Sequence, residues 1–544
     1  MFLRLCLPHG PRFGRPGGVT ELTGTARLVR AILRRDRVRI AVWTLSIAGL
    51  VAVTAASVKG LFPTQADLDR AAAAETSAAA IVLNGPPYGL DTVGGQVAYQ
   101  VGVWGMVAVA LMTMFMYTRN TRAEEESGRL ELVRATVVGR HAQSTAALIV
   151  VGGINLLVGM AVALANIAYG LPVGGSVVFG AGFTVLGLIF CGVTAITTQV
   201  SDNTRVANGL AGIVLGLAFA FRAIGDVNDG TLSWLSPIGL VQKSRPYAGD
   251  VWWPLAIGLV LAGVLTVVGG ILASHRDVGA GLTQPRPGPA TAGRALATPF
   301  GLALRLQRGS LISWAIGLFA TGVAYGSIID QLDSLLADND TAKELIAQAG
   351  GVSITDSYLS TTLQVVALIA TGYALQSALR LRTEENAGRV ESLLATPTSR
   401  ERWVTSHTAM SFVGAALVLL AGGLGTGLTV ALITGDWGEL PRLVGASLVY
   451  VPAVWLLAGL AVALFGLAPR AALAAWAGMA FCFVIGMFGE LLDLPRWLTD
   501  LSPFQRTPRV PADSLTLLPM VAIAAVAAAL TAAGIAGFRH RDVA

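Results

Sequence analysis

The sequence predicts an all-α, polytopic membrane protein built of two parallel six-helix transmembrane halves, and three observations predict it. Of 544 residues, 54% are hydrophobic and 13% charged, where an ordinary soluble domain carries roughly 25% charged residues. Apolar windows recur twelve times along the chain, each about 20 residues long, which suits a hydrocarbon core about 30 Å thick. The polar segment after the second window is repeated after the eighth. With a mean hydropathy of +0.66, no large soluble domain fits beside so many spans.

Taken in order, residues 1–20 read as a disordered basic arm. Their apolar run is short and cut by Arg4, and no small-residue cleavage site follows, so the pattern is not that of a signal peptide. Residues 21–278 form the first half. Arg27, Arg30, Arg34 and Arg37 share one helical face while Leu22, Val29, Ile32 and Leu33 cluster on another, which suits a helix lying in the inner headgroup region. The alternative is a plain extension of span 1. Spans follow near 40–60, 98–118, 145–169, 173–198, 206–224 and 251–274. Residues 279–297, rich in Gly and Pro and without an apolar stripe, read as a flexible cytoplasmic linker. The second half, 298–544, opens with Thr298 and Pro299 as N-cap and first helical residue. Its spans fall near 310–329, 360–379, 408–433, 443–467, 471–489 and 516–537.

Arginines cluster before span 1, between spans 2 and 3 and between the halves, whereas the loops 61–97 and 330–360 are acidic. By the positive-inside rule the arginine-rich segments are cytoplasmic, and an even span count leaves both termini there. The expected location is a bacterial cell (inner) membrane, crossed many times in contact with lipid. No nucleic-acid partner is expected.

Several chemistries are excluded by residue usage. The three lysines, Lys59, Lys243 and Lys343, never follow a glycine, so the chain lacks the Gly-Lys-Ser/Thr of a phosphate-cradling P-loop. Any ATP hydrolysis that drives it belongs to another subunit. Cys6, Cys191 and Cys482 are scattered, without spacing for zinc or a disulfide framework. The five histidines lie in tails or near helix ends without a His-Glu-x-x-His pair, so neither a catalytic site nor a metal site is expected.

The strongest signal is the self-match. Arg122 to Arg140, RAEEESGRLELVRATVVGR, aligns without gaps at an offset of 260 with Arg382 to Arg400, RTEENAGRVESLLATPTSR. It pairs Glu124, Glu125, Gly128, Arg129, Glu131, Ala135 and Thr136 with Glu384, Glu385, Gly388, Arg389, Glu391, Ala395 and Thr396. Two fainter echoes accompany it: Trp-Leu-Ser-Pro at 234–237 resembles Trp497, Leu498, Ser502 and Pro503, and His-Arg-Asp-Val recurs at 275–278 and 540–543. Six spans per half make the repeats parallel. Read as one short helix, each segment places Glu125 with Arg129 and Glu385 with Arg389 as i,i+4 pairs. It also puts Glu124, Gly128 and Glu131 on one face as a close-approach surface, ending near Thr136 or Pro397. A solvated helix with ordinary surface pairs is the bland alternative. Two ungapped copies at one topological place favour a docking element.

On these residues, and on the Glu-Glu-x-x-x-Gly-Arg-x-Glu segment with its following Ala-Thr above all, the chain resembles the permease subunits of type-two ATP-binding-cassette exporters. The form is the fused twelve-helix actinobacterial one, the exporters of polyketide antibiotics or tetronasin-type permeases. The resemblance implies that the fourteen matched residues seat as coupling helices in an ATPase subunit, two copies per chain, with ATP and Mg bound there. It implies export of hydrophobic or amphipathic antibiotic or drug-like molecules. It also places spans 2, 5, 8 and 11 near the interface between the halves, so the polar and aromatic residues there are candidate path residues: Tyr99, Gln100, Met112, Phe115, Asn208, Phe219, Gln364, Tyr373, Phe481 and Phe483. The competing function is a proton-coupled twelve-helix multidrug carrier. Such a carrier calls for ionisable groups within its spans and an Asp-Arg loop after span 2. None lies well inside a window; Arg222, near the end of span 5, is expected to snorkel, as are Arg380 and Arg382 after span 8.

Overall fold

A computed structural model describes residues 21–74, 78–227, 230–276, 281–283, 290–291, 293–329, 354–488 and 495–541. The arm at 1–20, residues 279–280, 284–289 and 292 of the 279–297 linker, and 330–353 of the second outward loop lie outside them. The described residues contain no β-strand and twelve helices long and apolar enough to cross a membrane. The chain divides into two compact units, Met1–Pro287 and Gly288–Ala544.

In the first unit the long helices are α1 (Thr25–Leu61), α4 (Val93–Asn120), α7 (Ala142–Ala168), α8 (Val173–Val200), α9 (Thr204–Val227) and α11 (Trp253–Ser274). Between them lie the short helices α2 (Gln65–Ala74), α3 (Ala78–Asn84), α5 (Arg122–Glu126), α6 (Arg129–Arg134) and α10 (Pro237–Gln242). Helix α8 sits at the centre, packed by α4, α7, α9 and α11, while α1 lies against α4 and α7. Its enclosure follows from its composition: Phe179, Phe183, Leu186 and Phe190 alternate with Gly180, Gly182 and Gly187, all buried. Small residues let helices approach where lipid offers no hydrophobic drive. A Cβ on Gly159 of α7 would stand 2.4 Å from the Gly180 carbonyl oxygen, and one on Gly180 would stand 2.3 Å from that of Gly159.

The second unit has α12 (Pro299–Gly326), α13 (Ile354–Ala378), α14 (Arg380–Asn386), α15 (Arg389–Leu394), α16 (Arg400–Thr434), α17 (Glu439–Leu448), α18 (Val451–Leu467), α19 (Ala475–Phe488), α20 (Arg496–Thr499), α21 (Pro503–Arg506) and α22 (Leu517–His540). Helix α16 packs on α12, α13 and α17, and α18 packs on α13 and α22. The buried core runs through Leu363, Tyr373, Val418, Val454, Phe465 and Phe538.

Two sequence expectations meet the structure here. The Thr298 hydroxyl caps α12 by accepting from the Gly301 amide at 3.1 Å, with Pro299 at the first helical turn, as the sequence predicts. The basic segment before span 1 is not a separate headgroup helix, because α1 runs unbroken over 37 residues from Thr25 to Leu61. No Gly or Pro interrupts it until Gly49, so the helix has no reason to turn. The Ser-Pro echo is also explained: Ser236 caps α10 by accepting from the Gly239 amide, with Pro237 following, and Ser502–Pro503 opens α21.

Candidate functional site

The matched segment of the first unit is two helices rather than one. Gly128 adopts φ +72°, a left-handed conformation that interrupts α-helical hydrogen bonding and that only glycine adopts without strain. It separates α5 from α6, and a Cβ there would meet nothing within 4 Å. The glycine makes the bend, no other part of this chain crowds it, and the single helical face of Glu124, Gly128 and Glu131 does not form. The ion pairs differ accordingly. Arg129 stands 4.0 Å from Glu124 instead of pairing with Glu125. Glu124 bonds Arg35 of α1 at 2.5 Å, and Glu125 takes Arg122 at 2.6 Å and Arg276, beyond the end of α11, at 2.8 Å. Beyond α6 the chain is held by backbone bonds from Gly139 and His141 to the Thr23 and Glu21 carbonyls at 2.9 and 3.1 Å.

The second unit repeats the bend at Gly388, φ +68°. Arg389 bonds Glu384 at 2.6 Å, and Arg380 bonds the same carboxylate at 3.1 Å rather than snorkelling. Glu385 bonds Arg541, beyond the end of α22. The α15 helix ends at Leu394, three residues before the predicted stop at Pro397, and α6 at Arg134, two before that at Thr136.

The structure thus sorts the fourteen matched residues into two sets. Glu124, Glu125, Glu384 and Glu385 turn inward to guanidinium partners. Arg129, Glu131, Ala135 and Thr136 in one unit, and Arg389, Glu391, Ala395 and Thr396 in the other, are exposed, with Gly128 and Gly388 at the bends. The exposed set of the first unit includes apolar surface that the motif did not single out: Leu132 and Val137 are 75% and 71% exposed. Sequence reasoning also missed the arginines that meet Glu125 and Glu385 from beyond α11 and α22. Their signal was present in the His-Arg-Asp-Val echo, whose arginines are Arg276 and Arg541. Asp36 was missed as well: fully buried, it accepts from Asn120 at 3.1 Å and from Arg39 at 2.9 Å, fixing α1 to the end of α4.

The ten path candidates occupy different settings. Tyr99 and Met112 are buried in the first unit, and Gln100 is half-buried. Asn208 accepts from the Thr118 hydroxyl at 2.8 Å. Phe115 is 47% exposed, and Phe219 packs 6.4 Å from Trp104, centroid to centroid. In the second unit Gln364 and Tyr373 are buried, and the Tyr373 ring fills the notch left by Gly414. Phe481 is half-buried and Phe483 exposed. Met112 is buried and Phe115 exposed although they stand three residues apart on α4, so the two do not share one setting.

Arg222 does not snorkel. It is fully buried, stands 3.7 Å from Asp226, and donates to the Ile81 and Val82 carbonyls of α3 at 3.2 and 2.6 Å. Its ring neighbour is Phe219, 4.6 Å below the guanidinium. Burial is possible because the acceptors come from outside the span.

Twelve apolar helices in two units define a multi-pass membrane protein. Residues 296–539 match the family model described as "Multidrug efflux system permease Rv1217c, C-terminal domain". Over 544 residues, 98% of each chain, the sequence is 41% identical to the multidrug efflux system permease protein Rv1217c of Mycobacterium tuberculosis (strain ATCC 25618 / H37Rv). The chain belongs to this family of multidrug efflux system permeases.

Proposed function

We propose that this chain is the membrane-spanning permease of an efflux system of the type-two ATP-binding-cassette class, moving hydrophobic or amphipathic drug-like molecules outward on ATP hydrolysed by a separate subunit. The observation that carries the reading is the pair of matched segments, each bent at a left-handed glycine and each presenting Arg, Glu, Ala and Thr at its exposed surface. Two like surfaces on one chain fit two copies of an ATPase that binds ATP and Mg. The orientation follows from charge, with the segments and both termini cytoplasmic. Of the path candidates, Gln100, Phe115, Asn208, Phe219, Phe481 and Phe483 keep accessible surface and are the ones assigned to cargo, which suits mostly aromatic contact with a few polar groups.

One observation favours the second reading, a proton-coupled carrier: the buried Arg222–Asp226 pair is the kind of intramembrane ionisable group such a carrier uses. It stands in the last turns of α9 against α3, away from mid-span, and supports a structural role better.

The test is a mild-detergent pull-down of the tagged chain from its native membrane, with mass spectrometry, beside a Glu131→Arg, Glu391→Arg double variant. A P-loop ATPase recovered with the parent chain and lost with the variant is the expected result. Recovery with both removes the two glutamates from the contact. Absence from both, with stable protein and efflux that follows the proton gradient, sinks the reading in favour of the carrier.

A further inference from the structure

We infer that Arg276 and Arg541 are positioning residues that lock each bent segment to the end of the last long helix of its own unit, so that segment and helix move as one piece. The functional consequence rests on the docking role proposed above; the mechanical link does not.

In the first unit the Arg276 guanidinium meets Glu125 through two contacts of 2.8 and 2.9 Å, and its Nε donates to Gln199 Oε1 of α8 at 2.8 Å. Arg276 is 8% and Glu125 12% exposed, so this is an enclosed fork-to-carboxylate pair with fixed geometry. In the second unit Arg541 bonds Glu385 and donates to the Phe465 carbonyl at 3.0 Å. Its guanidinium lies over the Phe465 and Phe538 rings at 5.1 and 5.3 Å.

A second tie closes each segment from its other end. Arg140 donates to the Ser274 and Arg276 carbonyls at 2.9 and 3.2 Å, and Arg400 donates to the Arg541 carbonyl at 2.6 Å. These acceptors lie at helix C-termini, where unpaired carbonyls and the dipole favour a cation. Each segment is therefore fastened before and after its bend to one helix terminus. Displacing its exposed face carries α11 or α22 with it as well as α4 or α13. Ordinary surface ion pairs do not recur as four-member arrangements at matched places.

The experiment uses the full chain in nanodiscs, alone and with its co-purifying ATPase, as wild type and as Arg276→Gln, Arg276→Lys, Arg541→Gln and Arg541→Lys. Amide hydrogen exchange is read at 122–136 and 382–396, and efflux is read with ethidium as the amphipathic probe. In each glutamine variant, exchange in the matching segment should rise about tenfold as local opening becomes easier. Efflux should fall about tenfold while the ATPase is still recovered. Lysine should restore Arg541, whose carboxylate contact is a single Nη, and should not restore Arg276, which needs both arms of the fork and Nε. Unchanged exchange at 122–136 in Arg276→Gln overturns the clamp, as does full rescue by Arg276→Lys, whereas faster exchange with wild-type efflux overturns its part in transport. Failure to recover any ATPase with wild type overturns the docking role instead, and exchange measured on the chain alone still decides the clamp.

Discussion

Arg222 shows what the interior asks of a charge. A guanidinium in a dry site must be paired and hydrogen-bonded, and here Asp226 supplies the counter-charge while two backbone carbonyls of α3 each take one Nη donor and Nε stays unbonded. Ser233 in turn donates to Asp226 at 2.5 Å. Arg222→Ala leaves the carboxylate buried without its partner and should lower stability by about 3 kcal/mol, read as a fall in the melting temperature of the purified chain. The Arg222→Met, Asp226→Leu double variant should recover most of that loss; a double variant as unstable as Arg222→Ala refutes the assignment. The arginine's proximity to a helix end was legible in the sequence. Its burial was not, because its acceptors are main-chain atoms 140 and 141 residues away that no side-chain pattern announces.

Among the elements, hydropathy located all twelve long helices, since an apolar window of sufficient length has few other ways to satisfy its backbone. What it could not locate was the bend within the matched segments. Glu125 with Arg129 fits a continuous helix as well as a broken one, and only the backbone at Gly128 separates the two. The extent of α1 was hidden for a related reason: basic residues mark the membrane boundary without ending a helix. Close helix crossings are likewise set by geometry. Gly159→Leu should force α7 from α8 and cost about 2 kcal/mol or more, whereas Gly153→Leu, at a glycine with nothing within 4 Å, should be tolerated. Thermal melts of the two variants in the same lipid check this, and equal losses would show that the α7–α8 contact does not govern stability.

At the scale of the whole molecule, two compact units with a Gly- and Pro-rich stretch near their junction fit the duplication that the self-match suggests. Each unit buries its own core, as an independently folding unit requires. Cutting the chain at the junction and co-expressing 21–287 with 288–544 should give two inserted, protease-resistant pieces. Aggregation of either piece alone would argue that its core is incomplete. The number of spans and the duplication were legible from composition and self-alignment. The partners of Glu125 and Glu385 were only half legible, since the echo that contains them carries no mark of where the fold brings it.

The clamps also bear on how such a chain changes over generations. Glu125 and Arg276 stand 151 positions apart, and Glu385 and Arg541 stand 156 apart, yet losing Arg541 strands Glu385 in an enclosed site, and losing Arg276 leaves Glu125 with Arg122 alone. Selection therefore acts on each pair as a single heritable trait. Around that shared joint the two copies differ, since Glu124 meets Arg35 in the first and Glu384 meets Arg380 and Arg389 in the second, so a change near one copy is answered within its own half.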